Sequence, residues 1–149
     1  MRTFADLTDL VALVEDRTPA RELYVRWSRG PEADNDRRSR DGLSGVPLPG
    51  LSANSLAVEP WWGDRPLRLW VARRLHDYRH LRERRGPGTR PWILEGSEVG
   101  RGPDNEPLVT CRHPIGWIAD DVLAECEHLV DDHAATNWGP LDREGPSPA

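Results

Sequence analysis

Leu23-Tyr24-Val25-Arg26-Trp27-Ser28 is a run of strand-favouring residues that ends on a cation and a hydroxyl group. Branched and aromatic side chains suit a pleated, half-buried surface, so the run predicts a short strand over residues 22–27. Its end carries two readings. Arg26 is a solvated or ion-paired strand end, or it is an oxyanion anchor. In the second case its guanidinium grips a pyrophosphate through two parallel bonds and Ser28 adds a third donor. Arg29-Gly30-Pro31 then turns the chain.

Other elements follow on either side. Leu7, Leu10, Val11 and Val14 fall at helical spacing, predicting a helix over 4–16 capped by Thr3 or Asp6 and ended by Thr18-Pro19. Residues 34–41 have no apolar period and read as a surface loop. The prolines of residues 45–50 exclude a central paired strand there, leaving a plain connection or a loop over a pocket. Pro66 opens a helix over 67–85, and Gly86-Pro87-Gly88 stops it. Its inner stripe is Leu67, Trp70, Val71, Arg74, Leu75, Tyr78 and Leu81, with Arg68, Arg73, Arg79, Arg82, Arg84 and Arg85 mostly outside. Residues 91–94, 108–111 and 115–118 are short strands. Asp120 caps a last helix over 121–135 with Val122, Leu123, Cys126, Leu129 and Val130 inward. Short strands with segregated helices predict an α+β fold: a small mixed or antiparallel sheet with an N-terminal, a central Arg-rich and a C-terminal helix. One domain is expected over residues 1–138, with a flexible tail over 139–149.

The chain has 149 residues, 37% of them hydrophobic, and seven tryptophans that must supply much of the core. All 20 basic residues are arginine. Lysine chemistry is therefore excluded, from Schiff bases to the P-loop amine, and any phosphate must be held by guanidinium groups. A net charge of −5 makes a backbone-driven nucleic-acid binder unexpected. Cys111 and Cys126 form no CxxC pair, which argues against a structural zinc or a disulfide framework. With no signal-like segment and no long apolar run, a cytoplasmic protein without membrane contact is expected.

Two further segments carry polar groups beside predicted strands. Ser52-Ala53-Asn54-Ser55 alternates small polar and apolar residues. It is a half-exposed strand or a wall of hydroxyl and amide groups against a flat ligand, with Trp61 and Trp62 near in sequence to stack on it. Gly100-Arg101-Gly102-Pro103-Asp104-Asn105-Glu106 is a hairpin turn, or a site in which Glu106 stabilises positive charge on a sugar carbon and Asp104 orients or deprotonates an acceptor. Glu95 and Glu98 are rival carboxylates. The i, i+4 pairs His128/Asp132 and His76/His80 lack a third ligand at suitable spacing, so no metal is expected. The arginines of the central helix read as a solvated face, or as a patch for RNA, DNA or an acidic partner.

The runs at 23–31, 49–54, 59–62 and 99–108 resemble an uncharacterised actinobacterial domain-of-unknown-function family of short proteins, over residues 23–125. Arg26, Ser52 and Glu106 also resemble the Arg, Ser-Thr-Ser and Glu-x-Glu positions of the ADP-ribosyltransferase superfamily. Asp104 stands for its first Glu, and Ala53-Asn54 depart from its second motif. That resemblance implies an ADP-ribosyltransferase-like fold and an enzyme that cleaves the nicotinamide glycosidic bond of NAD, transferring ADP-ribose to an acceptor the residues do not name. It implies catalytic Glu106 and Asp104, and NAD held by Arg26, Ser28, Ser52, Asn54 and Trp61. The alternatives are a non-enzymatic binding module using the Arg-rich helix and exposed tryptophans, and a small-molecule enzyme of secondary metabolism.

Overall fold

The strand read from residues 22–27 is β2, Leu23–Ser28, and it lies inside the sheet. The structure is a computed structural model and describes residues 1–16, 22–34, 50–103 and 105–144. The loops expected over 34–41 and 45–50 therefore fall almost wholly outside the described residues. The fold is mixed α+β with a mostly antiparallel sheet. β1 (Arg2–Phe4) precedes α1 (Leu7–Glu15), and α2 (Pro31–Asp34) follows β2. The short β3 (Leu51–Ser52) and β4 (Asn54–Ser55) lead into α3 (Leu67–Asp77) and α4 (Leu81–Arg84). A long hairpin, β5 (Arg90–Arg101) and β6 (Pro107–Ile118), precedes α5 (Asp120–Asp132) and α6 (Pro140–Glu144).

The sheet runs β1-β6-β5-β2-β4, with β3 on β6. Among the described residues, only β1 is parallel to its neighbour, pairing Phe4 with Ile118. One segment therefore touches both edges of the three central strands. Ser52 pairs with Leu108 on β6, and two residues later Asn54 pairs with Val25 on β2. Residues 51–55 thus bridge the sheet and curl it at that end. Strand alternation then sorts β2 between two cores. Leu23, Val25 and Trp27 join the main core under α1, α3 and α5. Tyr24 joins a second, smaller core with Ala53, Trp92, Leu94 and Val109 on the other face. Arg26 and Ser28 share the parity of Tyr24 and turn toward that second face.

Several expectations are corrected. The three strands of the second half are two strands of 12 residues each. Gly96, Gly100 and Pro114 look like interruptions in sequence, but the ladder absorbs them at three register shifts. The 67–85 helix is two helices. Tyr78 and Leu81, three residues apart, are both buried, and the turn between them is closed by Leu81 N–H donating to the Tyr78 carbonyl at 3.0 Å. Arg73, expected outside, is buried, donating to Asp77 at 2.7 Å and Asp142 at 3.0 Å. Asp6 caps α1 through Thr8 N–H, whereas the last helix is entered from Ala119, with Asp120 already in its first turn.

Residues 139–144 are not a loose tail. Trp138 stacks on Trp62 at 5.5 Å, and Leu141 is 1% exposed in the main core. Residues 145–149 lie outside the described residues. Leu141→Ala should therefore cost about 2–5 kcal/mol in chemical denaturation, the range for emptying a core site. A change under about 0.5 kcal/mol, typical of a surface position, would restore the tail reading.

Candidate functional site

Among the described residues, no strand lies beside the outer edge of β2 beyond Val25, because β4 ends its pairing at Tyr24 and Val25. Side chains take over the work of a ladder there. Arg85, at the end of α4, donates from Nη1 to the Trp27 carbonyl at 2.7 Å. Arg26 donates from Nη1 to the Ser52 carbonyl at 2.7 Å, fastening the bridge segment to β2.

The remaining reach of Arg26 goes to Asp34, with Nε at 2.8 Å from Oδ2 and Nη2 at 3.4 Å from Oδ1. The same carboxylate accepts from Ser28 Oγ at 2.7 Å. Ser28 Oγ in turn accepts from Trp92 Nε1–H at 2.9 Å and from Gly30 N–H at 3.1 Å. Glycine is required at Gly30. Its φ is +113°, and a Cβ there would lie 2.6 Å from the Trp117 ring. That bend lets α2 bring Asp34 back under Arg26. Arg26, Ser28 and Asp34 thus form a largely buried network in which each member has hydrogen-bond partners, the condition for burying an ion pair at all.

Glu106 arrives from the opposite side. Ala53 N–H donates to the Pro107 carbonyl at 3.2 Å, so the start of β6 abuts the Ser52 segment. The turn before it is a hairpin end. Asn105 has φ +61°, Gly102 N–H donates to the Glu106 carbonyl at 2.9 Å, and the Glu106 carboxylate folds over the space a Gly102 side chain would need. Arg85 reports the local field. Burial, then the Arg26 charge, pushes its guanidinium down to about 10, while Asp34 and Glu106 act in the other sense. The charges of Arg26, Asp34 and Glu106 are thus all felt at Arg85.

Of the residues read from sequence, Arg26 and Ser28 share the Asp34 carboxylate, Arg26 reaches the Ser52 carbonyl, and Glu106 precedes the Pro107 carbonyl that accepts from Ala53. Asp104 lies outside the described residues. Asn54 pairs with Val25, whose parity is that of the helix-covered face. Trp61 is packed against Trp62 and Trp70 on that same face, with its indole N–H donating to Glu59 at 2.5 Å, so it does not stack over the Arg26 group. Asp34 and Arg85 were missed. Asp34 looked like the start of a polar loop, and Arg85 like the last of a solvated series; no local pattern marks either one. None of the seven tryptophans is exposed. The central arginines are largely engaged within the fold, Arg68 with Glu125, Arg74 with the Ser55 carbonyl and Arg82 with Asp120.

The rival carboxylates separate. Glu95 lies 3.9 Å from Arg112, whereas Glu98 lines a different cavity of about 430 Å³ with Glu22, Tyr24, Ser55 and Ser97 over an apolar wall of Val14, Leu23 and Leu56. Tyr24 Oη donates to Glu22 at 3.1 Å. Among the described residues, no three His, Cys, Asp or Glu side chains gather to hold a metal, and no helix is long and apolar enough to cross a membrane.

The chain belongs to a family of unknown function, DUF6098, whose model matches residues 1–139. No curated protein and no solved structure matches it.

Two outcomes follow from this geometry. Asp34→Ala strands the Arg26 charge under the bridge segment and should cost about 3–5 kcal/mol; a loss within about 0.5 kcal/mol would mean the pair is solvated. The Tyr24 phenol is pushed up to about 12 by burial, the Glu22 hydrogen bond and the Glu22 and Glu98 charges. Its contribution is intact below the unfolded tyrosine value near 10 and is lost as pH rises toward 12, because the unfolded chain ionises first. Tyr24→Phe should flatten the fall in stability across that window. An identical slope in both proteins would contradict it.

Proposed function

We propose that this protein binds NAD at the Arg26–Arg85–Glu106 end of the sheet and cleaves the nicotinamide glycosidic bond, in the manner of an ADP-ribosyltransferase. The observation that carries the reading is the convergence of Arg26, Ser52 and Glu106, from three distant segments, on one sheet end where Arg85 adds a second guanidinium. Guanidinium groups are the only side-chain cations this chain has for a pyrophosphate. Arg26 is committed to Asp34 and Ser52, so it serves as the base of the site, and Arg85 is the cation placed to meet the phosphates.

In the reaction the bond between the ribose anomeric carbon and the nicotinamide nitrogen breaks, and nicotinamide leaves with the bonding electrons. Glu106 stabilises the positive charge that builds on the sugar. An acceptor oxygen or nitrogen, or water, forms the new bond, and its proton passes to Asp104. A second reading is a nucleotide-binding module without turnover. The Arg26–Ser28–Asp34 network favours it, since a guanidinium already engaged with a carboxylate and a carbonyl has less left to give a transition state.

Nicotinamide release measured for Glu106→Gln and the unmutated protein separates these readings. Loss of one preorganised electrostatic group should slow release by about 10²–10³-fold. NAD at 100 times its dissociation constant should still stabilise both proteins by about 2.7 kcal/mol. Stabilisation without any release supports the module. No stabilisation at millimolar NAD removes both readings.

A further inference from the structure

Glu22 stands at the start of β2 and lines the cavity of about 430 Å³ there. That volume is within the range of about 300–1,000 Å³ that small-molecule sites occupy. The Glu22 carboxylate accepts from the Tyr24 hydroxyl at 3.1 Å, and among the described residues no arginine pairs with it. Tyr24 is 5% exposed, so its phenol is a fixed part of the wall. Its one proton goes to Glu22, which leaves the lone pairs of its oxygen as acceptors. Glu98 also lines the cavity, but Arg101 holds it at 2.6 Å, so those two charges largely cancel. The lining is left with one net negative charge, on Glu22. Tyr24 registers that field. Burial raises its phenol most, and of the charges around it Glu22 and Glu98 raise it further and outweigh Arg101. Val14, Leu23 and Leu56, all buried, supply an apolar wall beside these oxygens.

We propose that this cavity is a second ligand site, for a small monocationic amine whose ammonium group meets Glu22 and Tyr24 and whose apolar body lies on the wall of Val14, Leu23 and Leu56. The charge class follows from the uncompensated carboxylate. An anion would be repelled by it, and a neutral ligand would leave its charge unanswered. An ammonium group brings donors only, and the carboxylate and phenol oxygens offer acceptors. A bare divalent cation does not fit, because it needs six or so oxygen ligands and one side of the cavity is hydrocarbon. Among the described residues no three metal-ligating side chains gather here. The site uses none of Arg26, Arg85 or Glu106, so it is independent of the NAD reading.

Three probes of matched size test it: phenethylamine, phenylacetamide and phenylacetate, titrated into the ¹⁵N-labelled protein while backbone amide resonances are followed. Phenethylamine should bind saturably, with its shifts centred on Tyr24, Ser55 and Ser97, which line the cavity. Phenylacetamide should bind about tenfold more weakly, and phenylacetate not at all. Glu22→Gln changes an exposed position that the fold tolerates, and should weaken phenethylamine by about tenfold or more, the scale of one charge-assisted hydrogen bond. Arg101→Gln removes the cation that competes for Glu98, and should tighten phenethylamine by about two- to fivefold, the scale of one exposed ion pair. No saturable shift at millimolar phenethylamine, shifts centred away from this cavity, equal or tighter binding of either other probe, or unchanged affinity in Glu22→Gln would each overturn the proposal.

Discussion

The Asp34 carboxylate holds together the end of the molecule on which function is proposed. It accepts from Arg26 and from Ser28, and through Arg26 it ties β2 to the segment that bridges the sheet. Without this acceptor, a guanidinium would be left under the bridge with its charge uncompensated, which is dearer than never burying the pair. The glycine bend at Gly30 and the indole of Trp92 serve the same carboxylate, one by placing it and one by saturating the serine beside it. A polar core on the second face of a sheet is an expensive way to close a small protein. It is tolerable here because each member of Arg26, Ser28 and Asp34 has a partner.

The two faces of β2 divide the molecule's labour. On one, Leu23, Val25 and Trp27 pack under three helices, and four tryptophans from residues 61, 62, 70 and 138 fill the volume that a chain with one phenylalanine must find elsewhere. On the other, the alternate residues pass from Tyr24 beside Glu22 and Glu98 to Arg26 and Ser28 beside Asp34. A single strand therefore carries an acidic cavity at one end and a guanidinium-rich site at the other. Trp27 belongs to the packed face, yet its indole N–H finds no acceptor among the described residues.

The sequence made some of this legible and hid the rest for physical reasons. Apolar periodicity located α1, α3 and α5, because each buries one face against the sheet. β2 was legible from its composition. The 12-residue hairpin strands were not, because Gly96, Gly100 and Pro114 are turn signals in a linear reading and bulge residues in a ladder. Asp34 and Arg85 act through tertiary contacts 8 and 58 residues away in sequence, which no local pattern reports. Trp61 was placed near the motif by sequence proximity alone. The 3-10 turn Pro60–Trp62 instead sends it under α3, where the indoles of Trp62 and Trp70 pack against it.

The central claim is that this sheet end is a site for the phosphates of a nucleotide, with Arg85 as the cation that meets them. Calorimetric titration of ADP-ribose, the part of NAD that such a site retains, into the unmutated protein and Arg85→Ala tests it most directly. The account predicts saturable binding that weakens by tenfold or more in the variant, consistent with loss of a charge-assisted contact of about 1.5–3 kcal/mol. No heat at millimolar ADP-ribose, or equal affinity in the folded variant, would contradict it.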